Sequence, residues 1–161
     1  MFLLPGWAPN IHPLVVHFPI AWWIAAVIVD LIALTLPRAP WAATTASLLY
    51  PAGAAAAAVA YFTGRQAAAT ALIPGMAHPI ILQHWNWALA TTLGFITIAV
   101  LRLWVLFKRY ETPRIVRLAL ALAGLAALLS LIQTGERGAR LVFEQGVGTS
   151  NPGGIHRPPT P

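Results

Sequence analysis

Apolar positions fill four long stretches of this chain, and polar ones gather in the gaps. The stretches run about Leu14–Leu36, Trp41–Thr63, Ile80–Phe107 and Ile115–Gln133. A membrane-crossing helix needs roughly 20 apolar residues, and each stretch is close to that length. They predict four transmembrane helices over about 14–36, 41–63, 80–107 and 115–133. The gaps are well punctuated. Pro37-Arg-Ala-Pro40 closes the first helix, Gly64-Arg-Gln and Pro74-Gly75 part the second from the third, and Lys108-Arg-Tyr-Glu-Thr-Pro113 parts the third from the fourth. Past Gly135 the pattern mixes. Residues Glu136–Phe143 predict a short helix on the membrane surface, with its Arg residues toward water and Leu141-Val-Phe143 toward the bilayer or the bundle. Residues 150–161 are rich in Pro and Gly and predict a flexible tail. Residues 1–149 therefore read as one all-α integral membrane domain.

Composition agrees with this class. The chain has 161 residues, 58% hydrophobic and 9% charged, against about 25% charged in a soluble domain. So few charges cannot cover a water-facing surface. The net charge of +6 would suit a nucleic-acid partner, but the basic residues flank apolar runs and read as membrane-loop charge. The expected surroundings are the lipid bilayer, not nucleic acid. There is no cysteine, which excludes disulfides, thiolate metal sites, iron–sulfur clusters and covalently attached c-type haem. The opening MFLLPGWAPN lacks a basic n-region and a clear small-residue cleavage site, so the first apolar run is expected to be retained.

Four helices place both termini on one side. The opposite side holds Arg38, Arg102, Lys108, Arg109, Arg114 and Arg117 against Glu111. The terminal side holds Arg65, Arg137, Arg140 and Arg157 against Glu136 and Glu144. The positive-inside rule then puts the short loops in the cytoplasm and both termini outside.

Candidate chemistry rests on the histidines. His12, His17, His78, His84 and His156 all lie toward the terminal side. His12-Pro-Leu-Val-Val-His17-Phe resembles His78-Pro-Ile-Ile-Leu-Gln-His84-Trp, a short internal match that suggests a parallel two-helix duplication. Pro13 and Pro79 suit first helical turns, where the missing N–H costs nothing. His17 would lie about 7 Å deeper than His12, and His84 about 9 Å deeper than His78. Two inner imidazoles at matched depth, with no thiolate available, point to a bis-histidine b-type haem held by His17 and His84. Phe18, Trp22, Trp23, Trp85 and Trp87 would wall it, and the Ala-rich second helix would leave room. Arg65, Arg137 and Arg140 are on the correct side to meet propionates.

Two other readings stand beside this one. The histidines could satisfy helix ends in a cofactor-free structural or assembly subunit, with His12 and His78 as caps. Alternatively His12, His17, His78 and His84 could converge on copper or zinc. Asp30 is the only acid inside an apolar stretch. A buried pair with Arg102, or with Ser or Thr near the same face, is the favoured reading, and a proton-carrying role for a quinone the other.

The run "IHPLVVHFPIAWWIAAVIVDLIAL" resembles the opening of the bacterial domain-of-unknown-function family twenty-two thirty-one, small four-helix membrane proteins. His84 at the start of the third helix and the closing "TGERGARLVFEQGVGTS" fit the same family. Gln145 stands where the family pattern has a His. The resemblance implies the fold and a membrane location and little about activity, though some members resemble electron-transport components; the location expected here is the bacterial inner membrane. No paired carboxylates, nucleophile–base set or phosphate loop is present. The expectation is therefore a non-catalytic one-electron carrier beside a larger membrane redox complex, exchanging with quinone or a periplasmic cytochrome.

Overall fold

The computed structural model describes residues 10–36, 38–108 and 112–149. His156, Arg157, the tail from residue 150, Arg109, Glu111 and the first nine residues lie outside the described residues. The helices are α1 (His12–Val15), α2 (His17–Thr35), α3 (Pro40–Thr70), α4 (His78–Lys108) and α5 (Arg114–Phe143), with one 3₁₀ turn at Gly75–Ala77. Four segments are long and apolar enough to cross a membrane: His12–Thr35, Trp41–Thr70, Gly75–Lys108 and Arg114–Phe143.

The first apolar stretch breaks at Val16 because Pro19 offers no N–H to the Val15 carbonyl and its ring crowds that group. Two boundaries differ from the sequence reading. α3 continues to Thr70, through Gly64 and Arg65, because the Ala67-Ala-Ala run sustains helix where hydropathy has already fallen. α5 continues to Phe143, so Glu136–Phe143 forms no separate surface helix but the last turns of a spanning one. Those turns are braced by Arg140, whose Nε donates to Glu144 at 3.0 Å and which pairs with Glu136 one turn back.

α2 packs on α3, α3 on α4, α4 on α5, and α5 closes back on α2. Each helix runs antiparallel to its two neighbours, leaving α2 and α4 parallel across one diagonal. Side chains bridge that diagonal in layers. Trp23 of α2 stacks on Phe95 of α4 with planes 9° apart. Tyr50 of α3 meets Trp23 edge-on at 4.9 Å, and Trp23 Nε1 donates to the Gly124 carbonyl of α5 at 3.0 Å. Trp23, Tyr50 and Phe95 are fully buried. They seat against small residues. A Cβ on Gly53 would lie 3.1 Å from Trp23, and one on Gly124 would lie 3.0 Å from Tyr50 Cζ. The Ala-rich face of α3 (Ala54, Ala57 and Ala60 buried) thus receives the core aromatics.

One layer beyond lies an ion pair. Arg102 Nη1 donates to Asp30 Oδ1 at 2.9 Å and Nη2 to Oδ2; Tyr50 Oη donates to the same carboxylate at 3.3 Å. Arg102 is therefore the partner of Asp30, as the cost of a lone acid in lipid led us to expect. α4 and α5 are also joined by hydroxyls: Thr91 Oγ1 lies 2.7 Å from Ser130 Oγ and 2.9 Å from Thr134 Oγ1. The outer surface is apolar, with Ile28, Leu82, Trp104 and Leu129 exposed where lipid tails would lie.

Candidate functional site

The interior of the terminal-side end is built on two histidines, but not the pair the motif comparison selected. His12 and His84 are both half-buried. His17 is exposed on the outer face of α2, and its Nδ1 meets only the Leu14 carbonyl of its own chain turn, at 3.3 Å. His78 is likewise exposed, bonded to the Gly75 carbonyl at 3.1 Å. His12 and His84, not His17, are thus the histidines that turn toward neighbouring helices at this end. Four histidines do not converge, and no group of three or more potential metal ligands occurs among the described residues.

The register explains the choice. Asp30 and Arg102 lie 72 positions apart, and the same offset relates Trp23 to Phe95 and His12 to His84. Along α1–α2 and along α4 the three side chains are spaced by eleven and then seven residues, and Val16, where α1 gives way to α2, keeps right-handed helical angles. Eleven residues are close to three turns and seven close to two, so all three share one face. His17 falls five residues from His12, about 140° around the helix. The His-Pro resemblance aligns the chain six or five residues out of this spatial register.

Each inner imidazole is held by the neighbouring antiparallel helix. His84 Nδ1 lies 3.0 Å from the Thr134 carbonyl. A carbonyl only accepts, so Nδ1 carries the proton and Nε2 a lone pair. His12 Nδ1 lies 3.2 Å from Thr63 Oγ1. That hydroxyl donates its own proton to the Val59 carbonyl at 2.9 Å or that of Ala60 at 3.0 Å, so it accepts from His12. Both rings then carry the proton on Nδ1, and the His12 ring also bonds the Ala60 backbone. A fixed tautomer of this kind orients an imidazole for metal ligation.

Both rings lie where a helix backbone is bare. A Cβ on Gly64 would sit 2.9 Å from His12 Cε1, and one on Gly138 would sit 3.2 Å from His84 Cε1. These glycines let an imidazole lie flat against α3 and α5 respectively. Two cations stand over the tryptophans that follow His84. Arg65 lies over the Trp85 ring at 5.0 Å and Arg137 over Trp87 at 5.2 Å. Arg137 Nη1 donates to the Gln133 carbonyl and side chain at 2.9 and 2.7 Å, while its buried Nε has no partner. Arg140 is exposed and paired with acids one turn away on either side. Of the expected aromatic walls, Trp85 and Trp87 stand beside His84, Trp23 belongs to the core, and Phe18 and Trp22 face outward as an edge-on pair at 5.9 Å.

A ring of four membrane-length helices with a histidine pair at one end and a buried ion pair near the other defines a small polytopic membrane protein. The chain belongs to the family of predicted membrane proteins DUF2231, whose model matches residues 8–151. No curated protein and no solved structure matches it.

Proposed function

We propose that this protein is a membrane b-type cytochrome, carrying single electrons on one haem held by His12 and His84. The observation that supports this most is the diagonal pair itself. Two imidazoles on different helices are each held through Nδ1 by the neighbouring antiparallel helix, with a glycine of that helix against the ring. Bundle cores are a common setting for such ligand sets. The haem would supply a reversible one-electron couple; the chain's residues hold, orient and shield it. Thr63 and the Thr134 carbonyl fix the two tautomers. Trp85 and Trp87 exclude water from the flanks. Arg137, with its unpartnered Nε, and Arg65 are the nearest cations for propionates, with Arg140 one turn further out.

The basic bias of the other end supports a periplasmic position for the histidine end and for both termini, in a bacterial inner membrane. Exchange partners at that end would be a periplasmic cytochrome or a quinone within a larger redox complex. The test is haem stoichiometry after co-expression with haem synthesis, read as the pyridine haemochrome. One haem per chain, lost in His84→Ala, supports the reading. Well-folded protein without haem overturns it and leaves a cofactor-free structural subunit.

A further inference from the structure

At the end opposite the histidines, a cavity of about 220 Å³ opens between the helices. Its polar lining is Asp30, Arg102, Arg117, Thr44, Ser47 and Thr112. α2 and α4 end here while α3 and α5 begin, so the helix dipoles largely cancel and the side chains set the potential. Two cations and one anion leave the lining net positive.

What distinguishes the cavity is which groups are still unspent. The one carboxylate of the lining is used: both Asp30 oxygens are taken by Arg102, and Tyr50 adds a third bond. The Ser47 proton goes to the Ala43 carbonyl at 2.8 Å. Donors remain. Arg102 is 5% exposed, yet its Nε–H is buried and unpartnered. Arg117 has no carboxylate partner, and the Thr44 hydroxyl no hydrogen bond, among the described residues. A buried donor of a charged group is rarely left without an acceptor. We propose that this cavity binds a phosphate group, either that of an anionic lipid headgroup or a free phosphate ion. Phosphate carries enough acceptor oxygens to meet Arg102 Nε, Thr44 and Arg117 together, which a single neutral carbonyl does not. Basic pockets between transmembrane helices hold headgroup phosphates in this way. The proposal stands independently of the histidine site.

The test uses the full chain, purified in mild detergent and freed of co-purifying lipid. Native mass spectrometry follows titration with phosphatidylglycerol, with a neutral glucosyl-diacylglycerol of the same chains, and with inorganic phosphate. One phosphatidylglycerol per chain is expected, about tenfold tighter than the glycolipid. Arg117→Gln should weaken it about fivefold, as for one charge at a membrane surface, and Thr44→Val about threefold through one lost hydrogen bond. Arg114→Gln, which alters an exposed charge not lining the cavity, should leave it unchanged. Displacement of the lipid by millimolar inorganic phosphate identifies the free ion as sufficient; failure to displace it identifies the lipid as the source. Equal binding of phosphatidylglycerol and glycolipid, or unchanged phosphatidylglycerol binding in both Arg117→Gln and Thr44→Val, overturns the proposal.

Discussion

Breaking the Asp30–Arg102 pair should destabilise the fold more than any other single polar substitution. The two side chains are 5% and 6% exposed, and they join α2 to α4 across the bundle diagonal. At an effective dielectric of about 20 and a charge separation of about 4 Å, their attraction is about 4 kcal/mol. Removing one partner also strands the other charge in an apolar interior. The expected loss is about 3–5 kcal/mol for Asp30→Leu or Arg102→Met alone. Tyr50 moderates this only slightly, with one long hydrogen bond to Asp30 and a ring face 4.7 Å from the Arg102 guanidinium. The double variant Asp30→Leu/Arg102→Met removes both charges and leaves none stranded. It should fall within about 2 kcal/mol of the wild type, because an apolar replacement of similar volume is often neutral. The assay is reversible unfolding in mixed micelles, followed by far-UV circular dichroism as the denaturing detergent fraction rises. Single variants each costing under about 1 kcal/mol, or a double variant equal to the sum of the two, would refute the reasoning.

The remaining expectations concern the glycines and the topology. Gly124→Ala puts a methyl group against Tyr50 and should cost about 1–3 kcal/mol in the same assay; a neutral result would mean the Tyr50 seat is loose. Gly64→Val and Gly138→Val should leave the helices intact by circular dichroism while displacing His12 and His84, abolishing haem binding at near-native stability. Retained haem in both would separate the glycines from the site. The chain has no cysteine, so single substitutions report sidedness cleanly. Thr149→Cys should react with a membrane-impermeant maleimide on intact cells, whereas Arg38→Cys should react only after lysis. The reverse pattern would invert the orientation.

Much of the fold was readable from hydropathy, since a spanning helix announces itself by length. The misjudged boundaries were those where helix continues beyond the apolar run. Arg65, Glu136 and Arg140 lowered the hydropathy at the ends of α3 and α5, yet Ala67–Ala69 and the i,i+4 pairs of Arg140 favour helix there. The site was half legible. The sequence put His84 on the inside and Arg65 and Arg137 at the same end, as the structure has them. It placed His17 rather than His12 inward, because the motif marks the helix entry and not the interior face. A usable signal was present. Asp30 must face inward on cost alone, and counting back along its face passes Val27, Ala26, Trp23 and Pro19, all buried, to His12. The same count from Arg102 passes Ala99, Phe95 and Thr91 to His84. Neither count reaches His17 or His78. The roles of Gly64 and Gly138 were not legible, because the absence of a side chain matters only once the neighbouring helix is in place.

The most direct measurement is a reduced-minus-oxidised visible spectrum of the protein purified in mild detergent after expression with ample haem, compared with His12→Ala, His17→Ala and His84→Ala. The account predicts a sharp b-type α-band that survives His17→Ala and disappears in His12→Ala and His84→Ala. A band lost in His17→Ala but kept in His12→Ala, or a flat spectrum from folded wild-type protein, would contradict it.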